Sequence, residues 1–145
     1  MIRRKLESVI MNRMFKGKAI IVLGPRQTGK TTLLRGIASL QTDKVLWLDA
    51  DEPYVKTRLT GINIADLKVM TGGYKILVID EAQQIRNIGT TLKLITDHLP
   101  EIQLLVSGSS SLELAVEVSE PLTGRKFEFF LYPVSFEEMM DKMFI

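Results

Sequence analysis

Residues 24–31 carry the pattern of a phosphate-binding loop, with two glycines separated by four residues and then a lysine and a threonine. The glycines let the backbone turn tightly, so that its N–H groups converge on phosphate oxygens. In this pattern Lys30 reaches the β- and γ-phosphates, and the Thr31 hydroxyl is a ligand of Mg²⁺. An apolar run at 19–23 precedes the loop and a helical pattern at 31–38 follows it. This strand–loop–helix context predicts that the chain binds a nucleoside triphosphate.

The residues expected to contact the nucleotide are those of the loop and the first residues of the helix. They are Gly24, Pro25, Arg26, Gln27, Thr28, Gly29, Lys30, Thr31 and Thr32. The positive N-terminal end of the helix adds to the attraction for phosphate. The alternative is a glycine-rich turn with an accidental lysine, which the flanking strand and helix patterns disfavour.

Two carboxylates close an apolar run further along the chain. Residues 76–79 are all aliphatic, as is typical of a strand buried on both faces of a parallel sheet. The carboxyl end of such a strand delivers Asp80 to the edge where ligands bind, and there it would hold Mg²⁺, usually through water. Glu81 follows directly, as in ATPases that polarise a water molecule for in-line attack. The alternative is a solvated acidic strand end.

A third apolar run, at 103–106, ends in small hydroxylic residues. We expect a polar residue at the tip of this strand to lie between the strand of Asp80 and the phosphate loop. It could orient water or sense the γ-phosphate there, and Ser107 and Ser109 are the candidates. The alternative is a hydroxyl-rich turn that caps the next short helix.

Arg125 lies one residue before a predicted strand at 126–132. A guanidinium at this position could stabilise charge on the γ-phosphoryl group, either within the chain or across a subunit contact. The alternative is a surface ion pair with Glu120 or Glu128.

Four segments together resemble a known group, the prokaryotic AAA+-type ATPases; they are GPRQTGKTTLL, ILVIDEAQ, LLVSGSSSLEL and PLTGRKFEFFLYPVSFEEM. In that group an N-terminal ATPase domain precedes a C-terminal domain of uncertain role. The resemblance extends over roughly residues 3–140. It implies ATP or ADP as the nucleotide, Mg²⁺ as the cofactor, and the roles given above for Lys30, Thr31, Asp80 and Glu81. The chain departs from the group by stopping where the C-terminal domain would begin.

The elements that must position these residues alternate along the chain. Strands are predicted at 19–23, 44–49, 75–80, 103–107 and 126–132, with two short helices over 54–70 and one helix over 88–99. The strand at 44–49 is expected to be buried. The alternation predicts the α/β fold class, as a P-loop NTPase three-layer sandwich with a five-stranded, mainly parallel sheet and helices on both faces.

Residues 1–145 are expected to form a single domain with an amphipathic helix at each end. The basic segment 1–17 should pack on the sheet as a helix rather than lie on a membrane. Ser135 and Glu138 form a capping box that opens a helix over 135–145. We expect the apolar face of this terminal helix to meet the absent C-terminal domain, a protein partner or a second copy of the chain.

The amino-acid composition limits the classes of protein, partner and metal site that the chain can represent. Hydrophobic residues make up 46% of the chain, which excludes a disordered protein. The net charge of +2 leaves nucleic acid possible as a partner but gives it no support. There is no cysteine, hence neither a disulfide framework nor a thiolate metal site. No apolar run approaches the about 20 residues that cross a bilayer, so we expect a cytoplasmic protein without membrane contact.

The pattern as a whole predicts an Mg²⁺-dependent ATPase domain in which Glu81 activates water. Two alternatives stay open. One is a nucleotide-gated binding or regulatory module with negligible turnover. The other is a RecA-like helicase fragment, because residues 80–83 and 107–109 echo helicase motifs.

Overall fold

The structure, a computed structural model, describes residues 2–25, 29–109 and 120–131. Three expected loop contacts, Arg26, Gln27 and Thr28, lie outside the described residues, and so does the predicted helix over 135–145. The extent of the domain over residues 1–145 and the partner of the terminal helix therefore stay predictions.

One sheet of five strands forms the centre of the described chain, in the order β2-β3-β4-β1-β5. The strands are β1 (Ala19–Leu23), β2 (Val45–Asp49), β3 (Ile76–Asp80), β4 (Gln103–Gly108) and β5 (Lys126–Phe130). Every neighbouring pair is parallel. All five carboxyl ends therefore lie at one edge of the sheet and all five amino ends at the other.

In the described ranges one α-helix precedes β1, and four more α-helices and one short 3₁₀ turn connect the strands. The helices are α1 (Ile2–Arg13), α2 (Lys30–Ser39), α3 (Pro53–Leu59), α4 (Ile64–Thr71) and α5 (Ile88–His98), and the 3₁₀ turn is Ala82–Gln84. The two short helices before β3 and the single helix after it are confirmed. None of the helices described here is both long and apolar enough to cross a bilayer.

The sheet is covered on both faces, which confirms the three-layer α/β fold. Strand β3 illustrates the alternation, because Ile76 and Val78 belong to one buried cluster while Leu77 and Ile79 belong to the other. Helices α1 and α2 contribute to the first cluster, and α3, α4 and α5 contribute to the second. The N-terminal helix thus packs in the core through Ile10, which is fully buried. It ends at Arg13 and does not continue to residue 17 as predicted.

Strand β2 differs from its prediction as a buried strand. All five of its residues are only half-buried, whereas every residue of β1, β3 and β4 is buried. The physical reason is the strand order, because β2 lies at the edge of the sheet and pairs with β3 alone. The apolar run of residues 45–48 could not reveal this position.

Candidate nucleotide-binding site

The glycine-rich loop joins β1 to α2 at the carboxyl edge of the sheet. At its start, the Gly24 N–H donates to the carbonyl oxygen of Gly108 at 3.3 Å, which ties the loop to the end of β4. At its end, Gly29 has φ 88° and ψ 19°, a left-handed conformation that glycine adopts without steric cost. Among the described residues no side chain caps α2. The N–H groups of its first turn are therefore suited to an anion.

Lys30 opens α2, and its side chain turns back to the loop. Its ammonium group donates to the carbonyl oxygen of Gly24 at 2.9 Å and to that of Pro25 at 2.6 Å. The side chain is 3% exposed, so the charge lies within the protein and next to the loop backbone. A buried lysine carries its charge only when polar groups surround it, and here the loop carbonyls supply them.

Three residues from three elements meet at the Asp80 carboxylate. The Thr31 hydroxyl donates to Asp80 Oδ2 at 2.8 Å, and the Ser107 hydroxyl donates to Asp80 Oδ1. Asp80 is 5% exposed and Ser107 is fully buried. These hydrogen bonds hold the buried carboxylate in the orientation in which it faces the start of α2. The structure thus brings together Thr31, Asp80 and Ser107, which the sequence had assigned to one site.

The chemistry of this donor set fits Mg²⁺. Magnesium prefers hard oxygen ligands and usually takes one or two from the protein, with water and phosphate oxygens completing its coordination. Thr31 Oγ1 and Asp80 Oδ2 are two such oxygens in direct contact. The described ranges contain no group of three or more His, Cys, Asp and Glu residues that could hold a metal by themselves. The pair is therefore the kind of site that a nucleotide-bound magnesium uses.

Glu81 lies at a sharp turn directly after β3. Its φ of 58° and ψ of 46° are left-handed, which costs about 1–3 kcal/mol for a residue other than glycine. Its backbone N–H donates to the Ser107 hydroxyl at 3.0 Å. Ser107 therefore bridges the Asp80 carboxylate and the Glu81 backbone. This bridge helps to hold Glu81 in its strained conformation.

Gln83 is the residue that the sequence analysis missed. Its side-chain N–H₂ group donates to Glu81 Oε2 at 2.7 Å and also to the Ser109 hydroxyl. Its carbonyl oxygen accepts the Ser109 backbone N–H at 3.1 Å. The similarity of residues 80–83 and 107–109 to helicase motifs was the feature of the sequence that could have indicated a role for Gln83. The sequence alone does not show that these two segments are in contact.

Two other predicted site residues lie further from these contacts. Thr32 follows Thr31 on α2, and its side chain is exposed. Arg125 precedes β5 and thus lies at the amino edge of the sheet, where its carbonyl oxygen accepts the Ala19 N–H at 2.9 Å. A five-residue strand spans roughly 16 Å, which separates Arg125 from the loop at the other edge.

The position of Arg125 corrects two expectations. Because a residue before a parallel strand lies at the edge opposite the ligand, the geometry rules against a role of Arg125 at the phosphate loop of its own chain. The alternative of a surface ion pair is present, but its partner is Asp97 rather than Glu120 or Glu128. A contribution of Arg125 to the site of another subunit stays a prediction.

A family model described as an AAA domain matches residues 16–140 of this chain. The chain belongs to the AAA domain family. The match spans the loop, the Asp80 strand and the segment that leads to β5, so the resemblance to AAA+-type P-loop ATPases is confirmed. Membership in this family supports nucleotide binding by this domain.

Relatives with similar sequences are longer than this chain. The uncharacterized protein Rv2008c of Mycobacterium tuberculosis is 31% identical over 124 residues, which cover 85% of this chain and 27% of that protein. The spermidine/putrescine import ATP-binding protein PotA of Mycoplasma genitalium is 34% identical over 97 residues, covering 63% of this chain and 16% of that protein. The chain thus spans 27% or less of the length of these curated relatives.

Solved structures share the fold at low sequence identity. The Walker-type ATPase PABY2304 of Pyrococcus abyssi has a TM-score of 0.63 and 19% identity, covering 97% of this chain and 57% of that chain. A chain of Drosophila ORC bound to DNA has a TM-score of 0.66 and 16% identity, covering 90% of this chain and 89% of that chain. At these identities the likeness establishes the P-loop α/β fold.

Proposed function

We propose that this domain binds ATP together with Mg²⁺ and hydrolyses ATP to ADP and inorganic phosphate, with Glu81 as the general base. The observation that carries the proposal is the convergence of Thr31 and Ser107 on the Asp80 carboxylate, directly beside Glu81 in its left-handed conformation. Strained backbone of this kind persists only where the surrounding structure holds it, and it is common at catalytic sites.

In this proposal the loop and the start of α2 bind the phosphates. The backbone N–H groups that follow Gly29 face the anion, and the Lys30 ammonium exchanges its contacts with Gly24 and Pro25 for phosphate oxygens. Thr31 and Asp80 would hold Mg²⁺, which supplies positive charge against the phosphate oxygens. The remaining predicted contacts in the loop, Arg26, Gln27 and Thr28, belong to the same proposal.

The hydrolytic step uses the Glu81 carboxylate. Glu81 accepts a proton from a water molecule, whose oxygen forms a bond to the γ-phosphorus in line with the leaving group. The bond between that phosphorus and the oxygen that links it to the β-phosphorus breaks, and ADP and inorganic phosphate result. Asp80 accepts hydrogen bonds from the Thr31 and Ser107 hydroxyls at its two carboxylate oxygens, and its role in this proposal is to hold Mg²⁺ rather than to accept the proton.

One observation favours a second function, a nucleotide-gated binding module with negligible turnover. Arg125, the arginine that the sequence assigned to the γ-phosphate, lies at the other edge of the sheet and pairs with Asp97. An arginine at the transferred phosphoryl group raises the rate of such reactions by about 10³–10⁵. Without one, a domain can bind ATP firmly and hydrolyse it slowly.

Steady-state release of phosphate from MgATP tests the two functions against each other. We expect release by the parent chain, and a decrease of about two orders of magnitude or more in Glu81→Gln, the scale for loss of a positioned general base. Binding of ATP should be unchanged in the variant, because the loop and Lys30 are intact. Equal rates in parent and variant, with binding retained in both, would refute hydrolysis by Glu81. Negligible release by the parent chain, with ATP still bound, would instead establish the binding module.

A further inference from the structure

Gln83 occupies a position between the Glu81 carboxylate and the tip of β4. Its side chain makes three hydrogen bonds: Nε2 donates to Glu81 Oε2 and to the Ser109 hydroxyl, and Oε1 accepts the Ser109 N–H. An amide nitrogen has two protons, so both donors of Gln83 are used. Because the carboxamide is planar, a group held at both its nitrogen and its oxygen has little freedom to rotate. The Glu81 carboxylate therefore accepts a hydrogen bond from a donor, Gln83 Nε2, whose position is fixed.

The same contacts continue to the phosphate loop. Ser109 is 8% exposed and directly follows Gly108, whose carbonyl oxygen accepts the N–H of Gly24. Gly24 is the first residue of the loop. The side chain of Glu81 is thus connected through Gln83 and the end of β4 to the backbone that faces the phosphates. Its main chain is connected to the same strand by the bond from its N–H to Ser107.

These two attachments act on different parts of Glu81. Ser107 fixes the backbone of the left-handed turn, but it does not set the side-chain torsions of Glu81. Gln83 engages one carboxylate oxygen, Oε2. Within the described ranges it is the residue that bonds to this carboxylate. In the proposed role the second oxygen, Oε1, is the one that accepts the proton from water. A base held in this way needs no reorientation before it accepts a proton.

We propose that Gln83 is a positioning residue, which holds the Glu81 carboxylate in the orientation that activates water and couples it through Ser109 to the phosphate loop. This inference rests on the proposed hydrolysis of ATP. Gln83 itself touches neither nucleotide nor water in this role. Its loss should therefore lower the rate of the chemical step and leave the binding of ATP unchanged.

Two variants of similar length separate hydrogen bonding from packing. Gln83→Met keeps the bulk of the side chain and removes all three bonds. Gln83→Glu keeps its shape but directs a second negative charge at Glu81. We expect kcat for phosphate release to fall about ten- to a hundred-fold in both variants, since small misplacements of a reacting group cost up to about 10²-fold. KM and the dissociation constant for ATP should stay within about two-fold of the parent.

Gln84 provides a matched control. It is the next residue of the same 3₁₀ turn and is half-buried, but no bond joins it to the Glu81 carboxylate. Gln84→Met should therefore keep the parent kcat. If Gln84→Met and Gln83→Met lowered kcat equally, or if Gln83→Met were as fast as the parent, Gln83 would have no positioning role. Thermal melting of each variant verifies that the fold is retained.

A double-mutant cycle with Ser109→Ala tests the coupling. If Ser109 acts through Gln83, then Ser109→Ala should lower kcat in the parent background and have no further effect in Gln83→Met. Additive losses would refute the link between Ser109 and Gln83. An inactive parent chain would refute the proposed hydrolysis and this inference together. An active parent with an inactive Glu81→Gln and a fully active Gln83→Met would refute this inference alone.

Discussion

The two edges of the parallel sheet carry similar residue types but arrange them differently. At the carboxyl edge, Lys30 and Asp80 are 3% and 5% exposed, and their partners are hydroxyl and carbonyl groups. At the amino edge, Arg125 pairs with Asp97, and these two side chains are 49% and 26% exposed. Charges are thus buried and held by neutral groups at one edge, and paired near solvent at the other.

This difference is consistent with the proposed binding of nucleotide at the carboxyl edge. A buried charge whose partners are neutral dipoles can replace those partners with a phosphate or a metal ion. Two opposite charges that already neutralise each other contribute less free energy to the binding of such a ligand. The amino edge also contains Lys126, which pairs with Glu128 and whose pKa is lowered from its ordinary value by burial. We therefore expect substitutions at the carboxyl edge to change binding and catalysis, and those at the amino edge to change stability.

The largest expected effect is on Lys30. Lys30→Ala should abolish most of the rise in melting temperature that MgATP causes, because a ligand that binds only the folded state stabilises it by mass action. The matched control is Lys75→Ala, which removes an exposed lysine at the amino edge, directly before β3. The control should keep the full rise. A Lys30→Ala variant that binds nucleotide like the parent would contradict the site.

The next largest effect is expected on the magnesium dependence of phosphate release, in the variant Thr31→Ala. Thr31→Ala removes the hydroxyl that contacts Asp80 Oδ2 at 2.8 Å, so one proposed metal ligand is lost while Asp80 stays. We expect the concentration of Mg²⁺ at half-maximal phosphate release to rise about ten-fold, which corresponds to about 1.4 kcal/mol. Thr57→Ala, at an exposed position of α3, is the control. Equal magnesium dependence in the two variants would remove Thr31 from the metal site.

At the amino edge the expected effect is on folding. Gln103 is 3% exposed; its side-chain nitrogen donates to the Lys18 carbonyl at 3.0 Å, and its oxygen accepts the Phe15 N–H. Gln103→Ala leaves these backbone groups unpaired and should lower the free energy of unfolding by about 1–3 kcal/mol. Denaturant unfolding measures this loss. The affinity for ATP should not change, and an affinity loss beyond about two-fold would contradict the separation of the edges.

The smallest effect is expected for Arg125. Its ion pair with Asp97 is partly exposed, and such pairs contribute about 0–1 kcal/mol. Arg125→Ala should therefore change the free energy of unfolding by less than about 1 kcal/mol and leave phosphate release by the monomer unchanged. If release fell at high protein concentration but not at low concentration, Arg125 would act on a neighbouring subunit. That result would restore its proposed role at the γ-phosphate.

Much of the fold could be predicted from the sequence. The aliphatic runs indicated strands at β1, β3 and β4, and the run of β3 indicated a strand buried on both faces. The structure confirms these strands, and all three are buried. The alternation of these runs with helical patterns predicted a parallel sheet between two helical layers. The position of β2 at the edge could not be predicted, because the run at 45–48 is as apolar as those of the central strands.

The candidate site also has a part that could be predicted from the sequence and a part that could not. The residue types at 24–32 and at 80–81 predicted a loop for phosphate and carboxylates for magnesium and water, since these functions depend on local backbone geometry and side-chain chemistry. The interaction of Gln83 with Glu81 and Ser109 was missed. A glutamine two residues after a carboxylate has no distinctive pattern, and its contact with Ser109 joins residues 26 positions apart.

The sequence by itself determined the local elements, the chemistry of the loop and the strand ends, and the α/β class, because periodicity and residue type act over short stretches of chain. Only the tertiary structure decided which of these elements meet. The strand order β2-β3-β4-β1-β5 inserts β4 between the Asp80 strand and the loop, so Ser107 contacts Asp80 and Gln83 reaches Ser109. The same parallel arrangement puts Arg125 at the opposite edge, since a residue that precedes a strand cannot lie at the carboxyl end of that strand.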